Sequence, residues 1–254
     1  MSEERIRVFR EIVIVVVLSL VLVSALGVKA VYASSGQVTL RPTDDTFADS
    51  SNPGSNYGGL GYLQVMNYQS AYSSDTMIIW LRFDLSSIPE GAVIDGATLS
   101  LYASLVGETY TVQACSSSNN SWTELSLTNG NMPNYNTTSM DSVLVASANQ
   151  WYNWTVVDAV ENALSGNPKS VTIVMQEPNP HSSAAWLWFD SKESQVYPSL
   201  GIDYRPELTI HWSSVVPEFP TFLVLPFFMM ATLIGVTLYK KKSHASQKRA
   251  RNSH

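Results

Sequence analysis

Between Ser34 and Ser214 apolar residues recur at every second position in short runs, and this period limits the folds open to the chain more than any other feature. In residues 77–84, Met77, Ile79, Leu81 and Phe83 share one side, while Ile78, Trp80, Arg82 and Asp84 share the other. That is the alternation of a strand, whose successive side chains point to opposite faces. Residues 97–103 repeat it, with Leu99 and Leu101 set against Thr98, Ser100 and Tyr102. So do Val171, Ile173 and Met175, and Leu208, Ile210 and Trp212. Clusters of Gly, Pro, Asn and Ser at 50–61, 86–96, 116–121, 128–138 and 166–169 separate the runs. Many short strands with such turns predict an all-β antiparallel sandwich or barrel. One stretch departs from the period. Val157, Val160, Ala163 and Leu164 stand at helical spacing before Gly166, which predicts a short helix over one end of the sheets. The chain shows no internal repeat.

Both ends are of a different kind. Arg5, Arg7 and Arg10 precede an apolar stretch from Ile12 to Val28, and Val31-Tyr32-Ala33 supplies small residues after it. A basic start, an apolar middle and a small-residue cut describe a secretory signal, with cleavage expected after Ala33. An uncleaved anchor is the competing reading. Near the other end, Val216-Pro217-Glu218-Phe219-Pro220 leads into an uncharged apolar run from Thr221 to Tyr239 and then Lys240-Lys241-Lys242. The run approaches the ~20 residues that a helix needs to cross a hydrocarbon core. The basic flank places residues 240–254 on the cytoplasmic side. The expected layout is a signal segment over 1–33, an exported domain over 34–214, a linker over 215–220, a transmembrane helix over 221–239 and a cytoplasmic tail.

The exported part is large enough for one domain with its own core. Its only cysteine is Cys115, so no disulfide closes within it. Residues 34–214 hold five Lys and Arg against seventeen Asp and Glu, a far more acidic balance than the −6 of the whole chain. Phosphate backbones are bound by Lys and Arg that displace counterions, so a nucleic-acid partner is excluded as the expectation. Asn119-Asn120-Ser121, Asn136-Thr137-Thr138 and Asn153-Trp154-Thr155 fit the glycosylation acceptor pattern.

The segment 38–49, Val-Thr-Leu-Arg-Pro-Thr-Asp-Asp-Thr-Phe-Ala-Asp, with Ser51-Asn52-Pro53 and Asn56-Tyr57-Gly58 after it, resembles the start of the DNRLRE domain. The resemblance continues through Leu81-Arg82-Phe83-Asp84-Leu85, Gly91-Ala92-Val93-Ile94, Trp122-Thr123-Glu124, residues 151–166, and Phe189-Asp190-Ser191-Lys192-Glu193 before Pro206-Glu207-Leu208. The chain departs from the pattern in a long spacer, Ser194 to Arg205, and lacks the motif that names the family. The resemblance implies a jelly-roll-like β-sandwich acting as a carbohydrate-binding module on a secreted or surface protein, in a family some of whose members accompany polysaccharide degradation. The tail is similar to archaeal PEF-type sorting signals, which implies a sortase-type processing enzyme as a partner and an archaeal cell surface as the location.

Two sets of residues carry candidate chemistry. Asp44, Asp45 and Asp49, followed by Asn52 and Asn56, are rich in oxygen, and Asp190 and Glu193 would close a site if the first and last strands are neighbours. Ca²⁺ takes six to eight oxygen ligands of this kind. Capping of turns by the same carboxylates is the alternative. Sugar rings stack on aromatic faces, and all seven tryptophans, from Trp80 to Trp212, fall in the exported part. Trp80, Arg82 and Tyr102 are the expected glycan-binding group, on the sides of their strands opposite the core stripe. Arg82 suits an acidic polysaccharide, since guanidinium pairs with carboxylate in two-pronged fashion; a cross-strand acid is its alternative partner. Catalysis has little to stand on, because no nucleophile elbow, metal-ligand His spacing or phosphate loop is present. The expected function is a non-catalytic, surface-held glycan-binding or adhesion module. A small polysaccharide hydrolase or lyase and a structural envelope protein are the alternatives.

Overall fold

The computed structural model describes residues 31–196 and 201–217, with Arg10 and Leu233 singly. The expected signal helix over Ile12 to Val28 and membrane helix over Thr221 to Tyr239 lie outside the described residues. Among those described, no helix is long and apolar enough to cross a membrane. Residues Ser34–Ser214 form one compact unit.

Within that unit the regular structure is antiparallel strand with one short helix, the strands curled into two facing layers. Sheet A contains β1 (Val31–Leu40), β5 (Val93–Val106), β8 (Gln150–Thr155), β10 (Leu187–Asp190) and β11 (Glu207–Pro217). Sheet B contains β2 (Asp44–Asp49), β4 (Ser74–Asp84), β6 (Tyr110–Ser117), β7 (Asn136–Val145) and β9 (Ser170–Gln176). β3 (Tyr62–Gln69) joins the layers, pairing with β10 through its first half and with β4 through its second. In sheet A, β5 is the long central strand. One of its edges pairs with β11 and then β10, and the other pairs with β8. In sheet B, β4 pairs with β2 along one edge and with β9 along the other.

The two-residue period explains the core. Ile79, Leu81 and Phe83 of sheet B face Leu99, Leu101, Leu187 and Phe189 of sheet A, all buried in one apolar cluster. Each such side chain contributes ~1.5–3 kcal/mol on full burial. Trp154 packs edge-on against Phe189 with ring centres 5.9 Å apart, and its Nε1–H donates to the Val112 carbonyl at 2.8 Å. One indole thereby fills the core and ties β8 to β6 across it.

The helix appears where its spacing predicts, as α1 (Val157–Leu164), with Ala159 and Val160 buried against β5 and β9. Asp158 in its first turn complements the positive end of the helix dipole. The Gly166 N–H closes the last turn on the Ala163 carbonyl at 3.0 Å.

Sheet B carries a second apolar layer that periodicity does not foretell. Its outer face, with Ala48, Trp80 and Val174, is covered by the connection between β6 and β7, which brings down Trp122, Leu127, Met132 and Tyr135. Sheet A has no such cover among the described residues of that cluster.

Candidate functional site

That difference between the faces redistributes the expected glycan-binding group. Trp80 is fully buried, edge-on to Trp122 at 6.1 Å and to Tyr135 at 5.7 Å. Arg82 is committed as well. Its Nε and Nη2 bond Asp44, while Nη1 donates to the carbonyls of Asn120 at 2.6 Å and Trp122 at 2.7 Å. The guanidinium also lies over the Trp122 ring, 5.5 Å from its centre. Arg82 is therefore a clamp that holds the covering connection on β4. Tyr102 stands apart, on β5 in sheet A. The three residues do not share a surface, because the non-core side of β4 is a second interior.

The aromatic surface lies on the outer side of sheet A. In register, Tyr102 is opposite Trp151, and the rings meet edge-on at 5.6 Å. Tyr204, from the connection between β10 and β11, lies flat on Tyr102 with centres 3.8 Å apart and planes within 7°. It arrives where β11 gives way to β10 along β5. Arg41 fixes this connection by binding Asp203 and Glu207, each at 2.8 Å, and the carbonyls of Arg205 and Pro206. Alternation along β10 puts Trp188 and Asp190 outward. Trp188 stacks on Tyr62 at 4.5 Å on one side and on Trp186 at 5.5 Å on the other. Trp186 is 50% exposed and Trp151 36%.

Two aromatic groups thus sit on one sheet face, one built on Tyr102, Trp151 and Tyr204, the other on Trp186, Trp188 and Tyr62. Polar side chains lie between them. Burial raises the Asp190 carboxyl above the usual range, and contacts with the Ser104 and Ser194 hydroxyls partly offset this. The Tyr102 hydroxyl is raised by burial first, then by its bond to Tyr204 and the charge of Asp190. Flat rings with carboxylate and hydroxyl groups between them match the two needs of a sugar, an apolar face to stack and hydroxyls to bond. The clefts elsewhere are of another kind. One of 330 Å³ between α1 and the ends of β6 and β9 is lined by Ser116, Ser118, Asn120, Asn162, Ser165 and Ser170, without an aromatic ring.

The five expected metal ligands also separate. Asp44 bonds Arg82 and the Glu124 N–H, and these contacts hold its carboxyl below the usual range despite burial. Asp49 caps its own turn, accepting from the Ser51 N–H, Asn52 and the Tyr57 hydroxyl. Asp190 belongs to the aromatic face. Asp45 and Glu193 do meet, and Glu124 joins them, with carboxylate oxygens of all three within 4.8 Å of one another. Burial first, then the neighbouring charges of Glu193 and Glu124, pushes the Asp45 carboxyl up to about 8. Lys192 lies at the rim, its Nζ 2.7 Å from Glu124 and 2.5 Å from Glu193.

The sequence reading missed Tyr204 and Glu124. Tyr204 falls in the spacer after Ser194, which has no strand period, and Glu124 in a turn-rich segment far from Asp45 in the chain. The acceptor asparagines Asn119, Asn136 and Asn153 are all exposed. Asn153 sits on the outer side of sheet A, where its Oδ1 accepts from the Ser100 hydroxyl at 2.7 Å. Ala33 lies within β1.

No curated protein matches the chain. A model described as carbohydrate-binding module family 96 matches residues 36–204, well over half of the chain, and the chain belongs to that family.

Proposed function

We propose that this protein is a cell-surface carbohydrate-binding or adhesion module that meets matrix or envelope polysaccharide on the outer face of sheet A and does no chemistry of its own. The observation that carries this reading is the pair of aromatic groups on either side of Asp190. An open sheet face with exposed rings such as Trp151 and Trp186 suits a chain of sugars, whereas a small ligand calls for a closed pocket. Family membership supports carbohydrate as the class of ligand. The two-layered antiparallel β fold is consistent with the same role, as is the resemblance of its segments to the DNRLRE domain. Because Arg82 is bound to Asp44 and two carbonyls, the case for an acidic polymer through Arg82 falls away.

Display rests on the ends of the chain. The signal-like segment up to Ala33 and the Pro217–Pro220 motif with its apolar run support an exported module held at the surface of an archaeal cell. A sortase-type enzyme acting at the tail belongs to this proposal.

The test is a soluble-polysaccharide panel read by affinity electrophoresis, with the released sugars assayed in parallel. The native protein is expected to be retarded by at least one polysaccharide without releasing sugar ends. Loss of one stacking ring removes ~1 kcal/mol, so Tyr102→Ala or Trp186→Ala should weaken retardation about fivefold or more. Release of reducing ends or unsaturated sugars would establish an enzyme instead. Retardation by none of the panel, together with ordered self-association, would establish an envelope component.

A further inference from the structure

A second site stands independently of the glycan reading. Asp45 pairs in register with Leu81, a core residue, so its side chain points to the inner side of β2, and the residue is only 1% exposed. Oδ2 accepts the Lys192 N–H at 2.8 Å, but Oδ1 is buried with no hydrogen-bond partner. Glu193 repeats the arrangement. Its Oε1 faces Lys192 Nζ at 2.5 Å, and its Oε2 is buried without a partner. Glu124 brings a third carboxylate to the same place. Lys192 supplies one ammonium to the three carboxyl groups, and it lies on the Oε1 side of Glu193, away from the unpaired oxygen.

Buried carboxylate oxygens need a donor or a cation, because they have given up water. Two unpaired oxygens aimed into one cluster, where three carboxyl groups meet a single ammonium, fit a divalent ion better than another ammonium. All the donors are carboxylate oxygens, from three separate parts of the chain. Ca²⁺ takes several carboxylates in flexible geometry, whereas Mg²⁺ demands a near-ideal octahedron and is usually held by one or two carboxylates with water. We propose that Asp45, Glu124 and Glu193 bind a calcium ion that joins β2, the connection covering sheet B and the turn after β10. Asp44, Asp49 and Asp190 take no part. The ion links the cover of one sheet to the connection that carries Tyr204 on the other.

The experiment uses the full chain in detergent micelles, freed of divalent ions with a chelator and titrated with calcium chloride. Uptake is read by calorimetry and stability by the melting temperature. One ion per chain and a rise in melting temperature are expected, since a ligand bound only by the native state stabilises it. Asp45→Asn and Glu193→Gln should each weaken uptake at least tenfold, while Glu90→Gln, in an exposed turn, should leave it unchanged. If Asp45→Asn does not fold, Glu193→Gln decides alone. No uptake at about 10 mM calcium, well above the range of weak extracellular sites, would overturn the proposal. So would uptake undiminished by both substitutions. An Asp45→Asn protein that melts higher than the parent, with neither responding to calcium, would show that Asp45 and Glu193 share a proton instead.

Discussion

Trp80 and Tyr102 present the same pattern to a reader of the sequence, an aromatic ring on the non-core side of a strand, yet they have opposite fates. Trp80 is buried under Trp122 and Tyr135, and its Nε1 has no hydrogen-bond partner. Its worth is therefore volume and ring contact. Trp80→Ala should cost ~3–5 kcal/mol, the usual price of an emptied aromatic site. Trp80→Phe, which forfeits no hydrogen bond, should cost clearly less. Urea denaturation of both variants checks the order, and the glycan affinity of the folded protein should be unchanged in each. Asp49 offers a pH prediction at the same scale. Burial works against its ionisation, but bonds from Asn52, Tyr57 and the Ser51 N–H outweigh it and hold the carboxyl below its ordinary value. A carboxyl lowered in the folded state stabilises fully above its unfolded pKa of ~3.9, and that contribution is lost as pH falls through the folded value. Melting temperature should thus drop on acidification below about pH 4. Asp49→Asn should start lower at neutral pH and drop less.

The elements show why one half of the site was legible and the other was not. Period-two alternation reveals which residues share a side of β4 and β5, and the inner stripes Ile79–Leu81–Phe83 and Leu99–Leu101 follow from it directly. It is silent on whether the other side is open. The answer lay some 40 residues on, in the connection between β6 and β7, whose Trp122, Leu127 and Tyr135 are spread among turn residues with no period. Tyr204 was hidden in the same way, in a connection held by Arg41 and Asp203 and not by a strand ladder. The β9–β10 connection positions Trp186 through backbone contact. The Gly107 N–H donates to the Trp186 carbonyl at 2.8 Å, and a β-carbon on Gly107 would fall 3.1 Å from the Trp186 backbone N and O. Neighbouring atoms would have to give way to it. Gly107→Val should displace Trp186 and weaken polysaccharide retardation several-fold, though no sugar-facing side chain is changed. Near-ultraviolet circular dichroism should register the altered Trp186–Trp188 stack. Unaltered dichroism with unaltered retardation would mean that the contact is slack.

For the whole molecule, the asymmetry of the sandwich is the organising fact. Among the described residues, one sheet is roofed by its own chain and the other presents rings outward, so one broad face is offered to a polymer. A module of this kind gains from being held at a surface, because tethering raises the effective concentration of the face near a fixed polymer. In the display we propose, the tail decides how it is held. If Thr221 to Tyr239 remains as a membrane helix, the mature chain keeps Lys240-Lys241-Lys242 and leaves the membrane only with detergent. If a sortase-type enzyme cuts near Pro217–Pro220, the mature chain loses both, and its mass falls by that of more than thirty residues. The proposal of processing predicts the second result for protein isolated from its native cells. Replacing Glu218-Phe219 with Ala-Ala should then restore the full-length mass and leave polysaccharide binding intact, since neither residue belongs to the folded unit of 34–214. Intact-mass measurement of the two proteins separates the cases, and a native chain that still carries its lysine-rich end would remove the processing enzyme from the proposal while leaving the display of the aromatic face untouched.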